Sequence, residues 1–337
     1  MKIAITADPM IPVPPLHYGG IERIIDMLIK GLMDKGHEVT LFAHEDSRVT
    51  CDLVKYKGKD PRSHWDTLRN MQQVSSVMGK GYDLIHSFGR LAYLTPLMPG
   101  PLPKIMSYQR EPSIPMIKRA MRLSRKGSMC FTGCSSYIAD QIKPYAPAYA
   151  IPNGVPIDQY TFQPEVAEDA PLVFLGRIEY IKGPHLAIEV AQRCGRNLLI
   201  AGNIPEDAKS KEYFDTMVRP HLSQQIEYLG PVNDVQKNEL LGKAHAFLMP
   251  ILWNEPFGIV MAEALACGTP VIGMNRGSVP EVVEDGVNGY RCKSVDEMVQ
   301  SVVKVKTISR GKPRDLAEKR FSGNAIVDLY ENLYTRC

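Results

Sequence analysis

Along this chain, short apolar runs alternate with longer stretches in which apolar residues recur every three or four positions. Lys2–Thr6 is the first run, a Pro-rich loop ending in Gly19-Gly20 follows it, and Ile21, Ile24, Ile25, Leu28, Ile29, Leu32 and Met33 then keep helical spacing. Gly36 stops that helix, and Glu38–Phe42 is the next strand. Strand, helix and strand at these lengths predict a βαβ unit, hence a parallel sheet with a right-handed crossover. Further strands are expected at Asp83–Ser87, Lys104–Tyr108 and Cys130–Cys134, with helical patterns between them.

The alternation then breaks. Ile151-Pro152-Asn153-Gly154-Val155-Pro156 is rich in turn formers, and Phe162–Pro171 is polar, acidic and flanked by proline, the composition of a linker. After it strands are expected at Leu172–Leu175, Asn197–Ala201, Ile226–Leu229, Ala246–Pro250 and Pro270–Gly273. Helices are expected at about Pro184 to Cys194, Val235–Lys243 and Ile259–Ala266. The fold class this predicts is α/β, with two doubly wound Rossmann-like domains facing across a cleft, the first over 1–163 and the second over 170–320. A final helical stretch, about Ser322–Tyr334 within 321–337, closes the chain. Ligands of such sheets bind outside the carboxyl ends of the strands. Function is therefore expected in the loops 7–20, 87–91, 109–113, 176–183, 202–205, 230–234, 252–258 and 274–281.

A length of 337 residues accommodates two such domains. No apolar run reaches the roughly 18 residues of a membrane span, and the opening run is too short for a signal peptide. The seven cysteines are scattered, with no CxxC pair, as in a cytoplasmic enzyme with reduced thiols. Residues 1–165 hold 20 Lys/Arg against 15 Asp/Glu, whereas the remainder holds 20 against 22. Part of the basic excess lies on 112–127, where Lys118, Arg119, Arg122, Arg125 and Lys126 accompany Ile117, Met121 and Leu123. That is a basic amphipathic helix, either a solvated face or a peripheral contact with a membrane or an acceptor. Nothing in the pattern asks for a nucleic-acid partner.

The segment Trp253-Asn254-Glu255-Pro256-Phe257-Gly258 leads from a strand into the helix Ile259–Ala266, and Gly268 ends it. The first amides of a helix have no internal partners and attract negative charge. Gly258 leaves room for a close approach, so a phosphate fits there. Glu263, further along the helix, would repel phosphate but can accept hydrogen bonds from the adjacent hydroxyls of a ribose. Glu255 can do the same for a sugar ring. An ordinary capping loop with a surface glutamate is the competing reading. Arg177 and Lys182 share one loop at a strand's carboxyl end, where a guanidinium and an ammonium can bind phosphate oxygens.

Glu255 and Glu263, with seven residues between them, resemble the EX7E motif of retaining GT-B glycosyltransferases in the family 4 group. Leu175-Gly176-Arg177, Lys182-Gly183, Ile151-Pro152-Asn153-Gly154-Val155, the run Ala266-Cys267-Gly268-Thr269-Pro270-Val271-Ile272-Gly273 and Val279–Tyr290 resemble it in order and spacing. The resemblance implies that Arg177 and Lys182 bind the donor diphosphate and act in catalysis with Glu255, which touches the transferred sugar. It implies that Glu263 holds the ribose and that the backbone of Phe257, Gly258, Ile259 and Val260 binds sugar and phosphate. Val232, in the loop Gly230–Asp234, would meet the base, and Gly19 and Gly20 would let the first loop approach the donor.

One departure stands out. Members commonly carry a histidine after the strand that here is Lys104–Tyr108, and this chain has Gln109-Arg110-Glu111. Gln109 can still donate to a sugar hydroxyl, and His86 is a candidate substitute, either as a substrate contact or as a structural residue. No Asp-x-Asp pair occurs, so neither metal nor cofactor is expected, and the nucleotide-diphosphate sugar enters as a substrate. The activity implied is retaining transfer of a hexose-type sugar, UDP favoured over GDP or ADP, to a hydroxyl of a sugar, lipid or small metabolite. The alternatives are a sugar-nucleotide epimerase or hydrolase of the same architecture, or an inactive nucleotide-sugar-binding protein. A dehydrogenase would need a Gly-x-Gly-x-x-Gly turn that neither Gly19-Gly20 nor Gly176 supplies.

Overall fold

The computed structural model describes residues 1–15, 19–60 and 62–336, so Leu16, His17 and Tyr18 of the first loop lie outside the described residues. The chain divides into two compact units, Met1–Gly154 with Gly323–Cys337, and Val155–Ser322.

The first unit is built on seven strands: β1 (Lys2–Thr6), β2 (Glu38–Ala43), β3 (Asp52–Lys55), β4 (Leu84–Ser87), β5 (Lys104–Tyr108), β6 (Met129–Gly133) and β7 (Ala148–Ala150). They pair in the order β3-β2-β1-β4-β5-β6-β7, every pair parallel. Parallel sheets are covered on both faces, which is why Ile3, Ala4 and Ile5 are all fully buried although their side chains alternate in direction. The helix Gly20–Asp34 turns Ile24, Ile25, Leu28, Ile29 and Leu32 into the core, and Ile21 and Met33 lie at the margin of that face.

The helix Gly323–Tyr334 packs against Gly20–Asp34 and buries Ile326, Val327, Tyr330, Leu333 and Tyr334. Gly31 makes the close approach possible, because a Cβ there would lie 2.4 Å from Val327 Cγ2. Lys35 adds ion pairs to Asp328 and Glu331, each at 2.6 Å. Ion pairs this exposed contribute little, whereas each fully buried aliphatic side chain contributes about 1.5–3 kcal/mol. The apolar face therefore holds this helix in place, and the ion pairs trim its register.

The second unit carries β8 (Leu172–Leu175), β9 (Leu198–Ala201), β10 (Ile226–Gly230), β11 (Ala246–Met249), β12 (Val271–Met274) and β13 (Gly289–Cys292), in the parallel order β10-β9-β8-β11-β12-β13. Its boundary lies earlier than the composition of 162–171 suggests. The segment from Val155 is already hydrogen-bonded into this unit, with Val155 N donating to Phe321 O at 2.7 Å and Gln163 N to Cys267 O at 3.1 Å. Arg310 completes the attachment: its buried guanidinium donates to the carbonyls of Gln163, Gly242 and Ala244 and to Thr269 Oγ1. Burial pulls its pKa down to about 10, still far above neutrality.

Strands β3, β7 and β13 and the helix His64–Ser75 escape the sequence pattern. β3 and β7 are short, partly exposed strands at the two edges of their sheet, so they lack the apolar run that marks a buried strand. The basic helix spans only Ile114–Leu123, because Ser124 is already extended. It buries Ile117 and Ala120 and leaves Met116 and Leu123 exposed.

Replacing Gly31 by leucine is expected to lower stability by roughly 1–3 kcal/mol, the usual cost of overpacking. Chemical denaturation should show the loss, and the added change Val327→Ala should recover part of it.

Candidate active site

In the second sheet the strand order reverses between β8 and β11. The chain leaves β8 toward β9 and leaves β11 toward β12, so the loops at their carboxyl ends part and open a crevice. These loops carry Arg177, Lys182 and Glu255. Leu252 N donates to Ile181 O at 2.8 Å, joining them. Gly183, with φ 74°, passes so near the end of β11 that a Cβ would sit 2.1 Å from Pro250 O. The loop after β12 supports the same segment: Ser278 N donates to Glu255 O at 2.9 Å and Ser278 Oγ to Phe257 O at 2.8 Å.

Two of the expected site residues meet directly. Lys182 Nζ lies 2.5 Å from Glu255 Oε2, and Trp253 Nε1 donates to the same oxygen at 3.0 Å. The ammonium also stands 4.7 Å from the Trp253 ring centroid. At 18% and 12% side-chain exposure, this pair is substantially desolvated. Arg177, at the end of β8, is 3.2 Å from Glu179 through Nη1, but among the described residues its Nε is buried without a partner, and so is Glu179 Oε2. Buried donors of that kind are uncommon, and a guanidinium with a spare N–H can take an anionic oxygen.

Gly258, in the left-handed region at φ 71°, opens the helix Ile259–Ala266. No side chain caps that end, no acid stands in its first turn, and Gly258, Ile259 and Val260 are half-exposed where Met261–Ala266 are buried. Phe257 is buried and lies edge-on to Phe321. Glu263 is the one ionisable residue of this apolar helix and is 5% exposed. Its Oε1 accepts from Tyr160 Oη at 2.7 Å and from Lys237 Nζ at 2.6 Å. Burial, and then the charge of Glu263, push the Tyr160 hydroxyl well above its ordinary pKa, so it stays a donor. Val232 lies half-buried in the turn between β10 and the helix Asp234–Gly242, whose capping box is formed by Asn233 and Gln236. Sequence reasoning missed Trp253, Tyr160, Lys237 and Glu179. Tyr160 lies just before the linker expected over Phe162–Pro171, and Lys237 within the helix expected at Val235–Lys243.

The remaining candidates belong to the first unit. Gly19 precedes the helix Gly20–Asp34, and a Cβ there would come within 2.6 Å of Pro15 Cβ and 2.8 Å of Glu22 Oε2, so local packing by itself requires a glycine. Gln109 follows β5; its Oε1 accepts from Asn153 Nδ2 at 2.8 Å, and among the described residues its buried Nε2 has no partner. His86 must be corrected as a substrate contact. It is fully buried, with Nδ1 2.7 Å from Tyr334 Oη and Nε2 2.6 Å from Ser107 Oγ, and it packs on Phe88 and Tyr330. Both nitrogens are taken, and burial holds its pKa down at about 3. It is a core residue. Among the described residues no group of three or more His, Cys, Asp or Glu is arranged to hold a metal ion, and no helix is long and apolar enough to cross a membrane.

Two parallel, doubly wound Rossmann-like sheets are the architecture of the GT-B glycosyltransferases. Family models agree along most of the chain: Glycosyltransferase Family 4 matches residues 18–159, and Glycosyl transferases group 1 matches residues 158–320. The chain belongs to these family 4-type glycosyltransferases. It is 24% identical to Spore coat protein SA of Bacillus subtilis (strain 168), with the full length of both covered. Two solved structures share the fold. AviGT4, a glycosyltransferase of avilamycin A biosynthesis, has a TM-score of 0.74 at 23% identity, over 99% of this chain and 97% of that one. Anabaena HepE in complex with UDP and glucose has a TM-score of 0.76 at 20% identity, over the whole of both chains.

The depressed pKa of His86 carries a pH signature. Below the unfolded value of about 6.5 the unfolded chain takes up a proton that the native state refuses until about pH 3. Stability from this group is thus complete above pH 6.5 and falls by up to about 1.4 kcal/mol per pH unit below it. Denaturant melts from pH 7 to 4.5 should show a shallower decline in His86→Asn than in the unaltered chain, although the variant starts less stable.

Proposed function

We propose that this glycosyltransferase moves a hexose-type sugar from UDP to an acceptor hydroxyl with retention of anomeric configuration, and that it needs no metal ion. The observation carrying this reading is the set of groups at the β8/β11 switch point. Arg177 keeps an unused guanidinium donor, Lys182 and Glu255 form a half-buried pair, and the helix Ile259–Ala266 begins uncapped. The solved relative of the same fold that holds UDP and glucose supports the choice of donor.

On this reading the diphosphate lies against the helix start and Arg177, and Lys182 is shared between a phosphate oxygen and Glu255. Glu255 reaches the sugar hydroxyls, Glu263 the ribose, and Val232 the base. As the bond from the sugar's anomeric carbon to the diphosphate oxygen breaks, negative charge grows on the leaving group. Fixed cations bind that charge more strongly in the transition state than in the ground state. The acceptor oxygen then bonds to the anomeric carbon from the same face, and its proton passes to the departing phosphate. Two cations and an open helix end supply the neutralisation a divalent ion gives elsewhere, which is why activity is expected to survive chelation. The first unit is proposed to receive the acceptor, with the unpartnered amide of Gln109 donating to a sugar hydroxyl.

Screening UDP-, GDP- and ADP-sugars against acceptor mixtures, with NMR of the product anomer, tests the reading. Retained configuration with a UDP-sugar, in EDTA, is the expected result. An inverted anomer, turnover only with added metal, or epimerised donor without acceptor would each overturn a part of it. Arg177→Ala is expected to lower kcat by roughly 10²–10³, the usual cost of removing one charge-stabilising donor, with a smaller change in KM.

A further inference from the structure

Glu263 is held in an unusual way for a residue on an apolar helix. Three separate elements converge on its carboxylate: its own helix after β11, the helix Asp234–Gly242 through Lys237, and the segment before β8 through Tyr160. Both donors meet the same oxygen, Oε1, and among the described residues no donor reaches Oε2. Lys237 is itself confined. Its side chain is 14% exposed, and Nζ lies 3.2 Å from Asp234 and 5.6 Å from the Tyr160 ring centroid. Tyr160 is fixed in turn, because Arg314 Nη1 donates to Tyr160 O at 2.8 Å and to Ala266 O, at the end of the Glu263 helix, at 2.7 Å.

We propose that Lys237 and Tyr160 are positioning residues of the nucleotide site: they occupy Oε1 of Glu263 and hold its carboxylate in one rotamer beside a counter-charge, leaving Oε2 as the acceptor for the vicinal ribose hydroxyls. The inference rests on the donor reading above. A nearly buried carboxylate without a counter-charge either takes up a proton or swings out to water. Either way it stops accepting from a hydroxyl pair. Lys237 stands as that counter-charge, and an anionic acceptor binds hydroxyl donors more strongly than a neutral one. Two donors on one oxygen also remove the rotational freedom that a glutamate would otherwise lose on binding.

The experiment measures affinity for UDP and for 2′,3′-dideoxy-UDP by calorimetry, with the GDP and ADP pairs in parallel, and reads the ratio within each pair. In the unaltered chain the ratio is expected to favour the ribonucleotide roughly ten- to hundredfold, the range for hydrogen bonds to a charged group. Lys237→Met should collapse the ratio to within about twofold of that in Glu263→Ala, with KM for the donor raised and kcat nearly kept. Lys237→Arg should restore part of it, and Tyr160→Phe, which keeps the ring and its packing, should give an intermediate ratio. A full ratio in folded Lys237→Met, or in Tyr160→Phe should Lys237→Met fail to fold, overturns the positioning role alone. No ratio in the unaltered chain for any base overturns the ribose assignment of Glu263 and the positioning role with it.

Discussion

Gly183 lies against the end of β11 with only a carbonyl oxygen where a side chain would be, and the hydrogen bond from Leu252 to Ile181 closes the same contact. That backbone crossing is what the site depends on. Parallel strands whose connections diverge leave a gap by topology alone, but a gap does not bring side chains together. Here the loop after β8 is drawn across to the loop after β11, so Lys182 reaches Glu255 although 73 residues separate them. The crossing repeats along the edge: a Cβ on Gly202 would meet Gly176 O at 1.8 Å, and one on Gly277 would meet Glu255 O at 2.4 Å. Backbone contacts of this kind fix loop positions without spending side chains, which stay free for chemistry.

The charges at this edge are arranged with a purpose the pairwise contacts alone do not reveal. Each of the two glutamates of the motif has its own lysine, Lys182 for Glu255 and Lys237 for Glu263. Arg177 has only a 3.2 Å contact with Glu179 and keeps a buried N–H unused. On the proposed reading, an arriving diphosphate would meet one cation with spare donors and one already half-committed, at a helix end with no acid in its first turn. On that reading the lysines they hold would screen the carboxylates from the phosphate. Without those lysines, placing two acids beside an anion site would oppose binding.

The strand and helix pattern of both units was legible because buried parallel strands are continuous apolar runs, and the helices between them keep a strict period. Lys104–Tyr108, Leu172–Leu175 and Ile259–Ala266 stand where the pattern places them. Edge strands such as Ala148–Ala150 were not legible, since an exposed edge needs no apolar face. The candidates Glu255 and Glu263 stand out by spacing, because seven intervening residues on one loop and helix is a local relation. Lys237 and Tyr160 could not, since their relation to Glu263 is set by three different loops meeting. His86 stood open between two readings for the converse reason. A histidine at the end of a central strand looks available, and only the packing of Ser107, Tyr330 and Tyr334 around it shows that it is core.

Lys237 and Glu263 also bear on why an acid stands in this helix at all. Burying an ion pair costs several kcal/mol of desolvation per ion, and an apolar pair of similar volume often serves stability as well or better. Ile259–Ala266 is otherwise apolar, so a leucine at 263 would suit the core, and a glutamine would accept from Tyr160 without any counter-charge. Neither would require Lys237 to lie nearly buried beside it. Stability thus gives no reason for the carboxylate, whereas the proposed recognition of two adjacent hydroxyls does, because a charged oxygen discriminates hydroxyl donors better than an amide can. The lysine follows from that choice: once an anion is needed in an apolar helix, something must keep it charged.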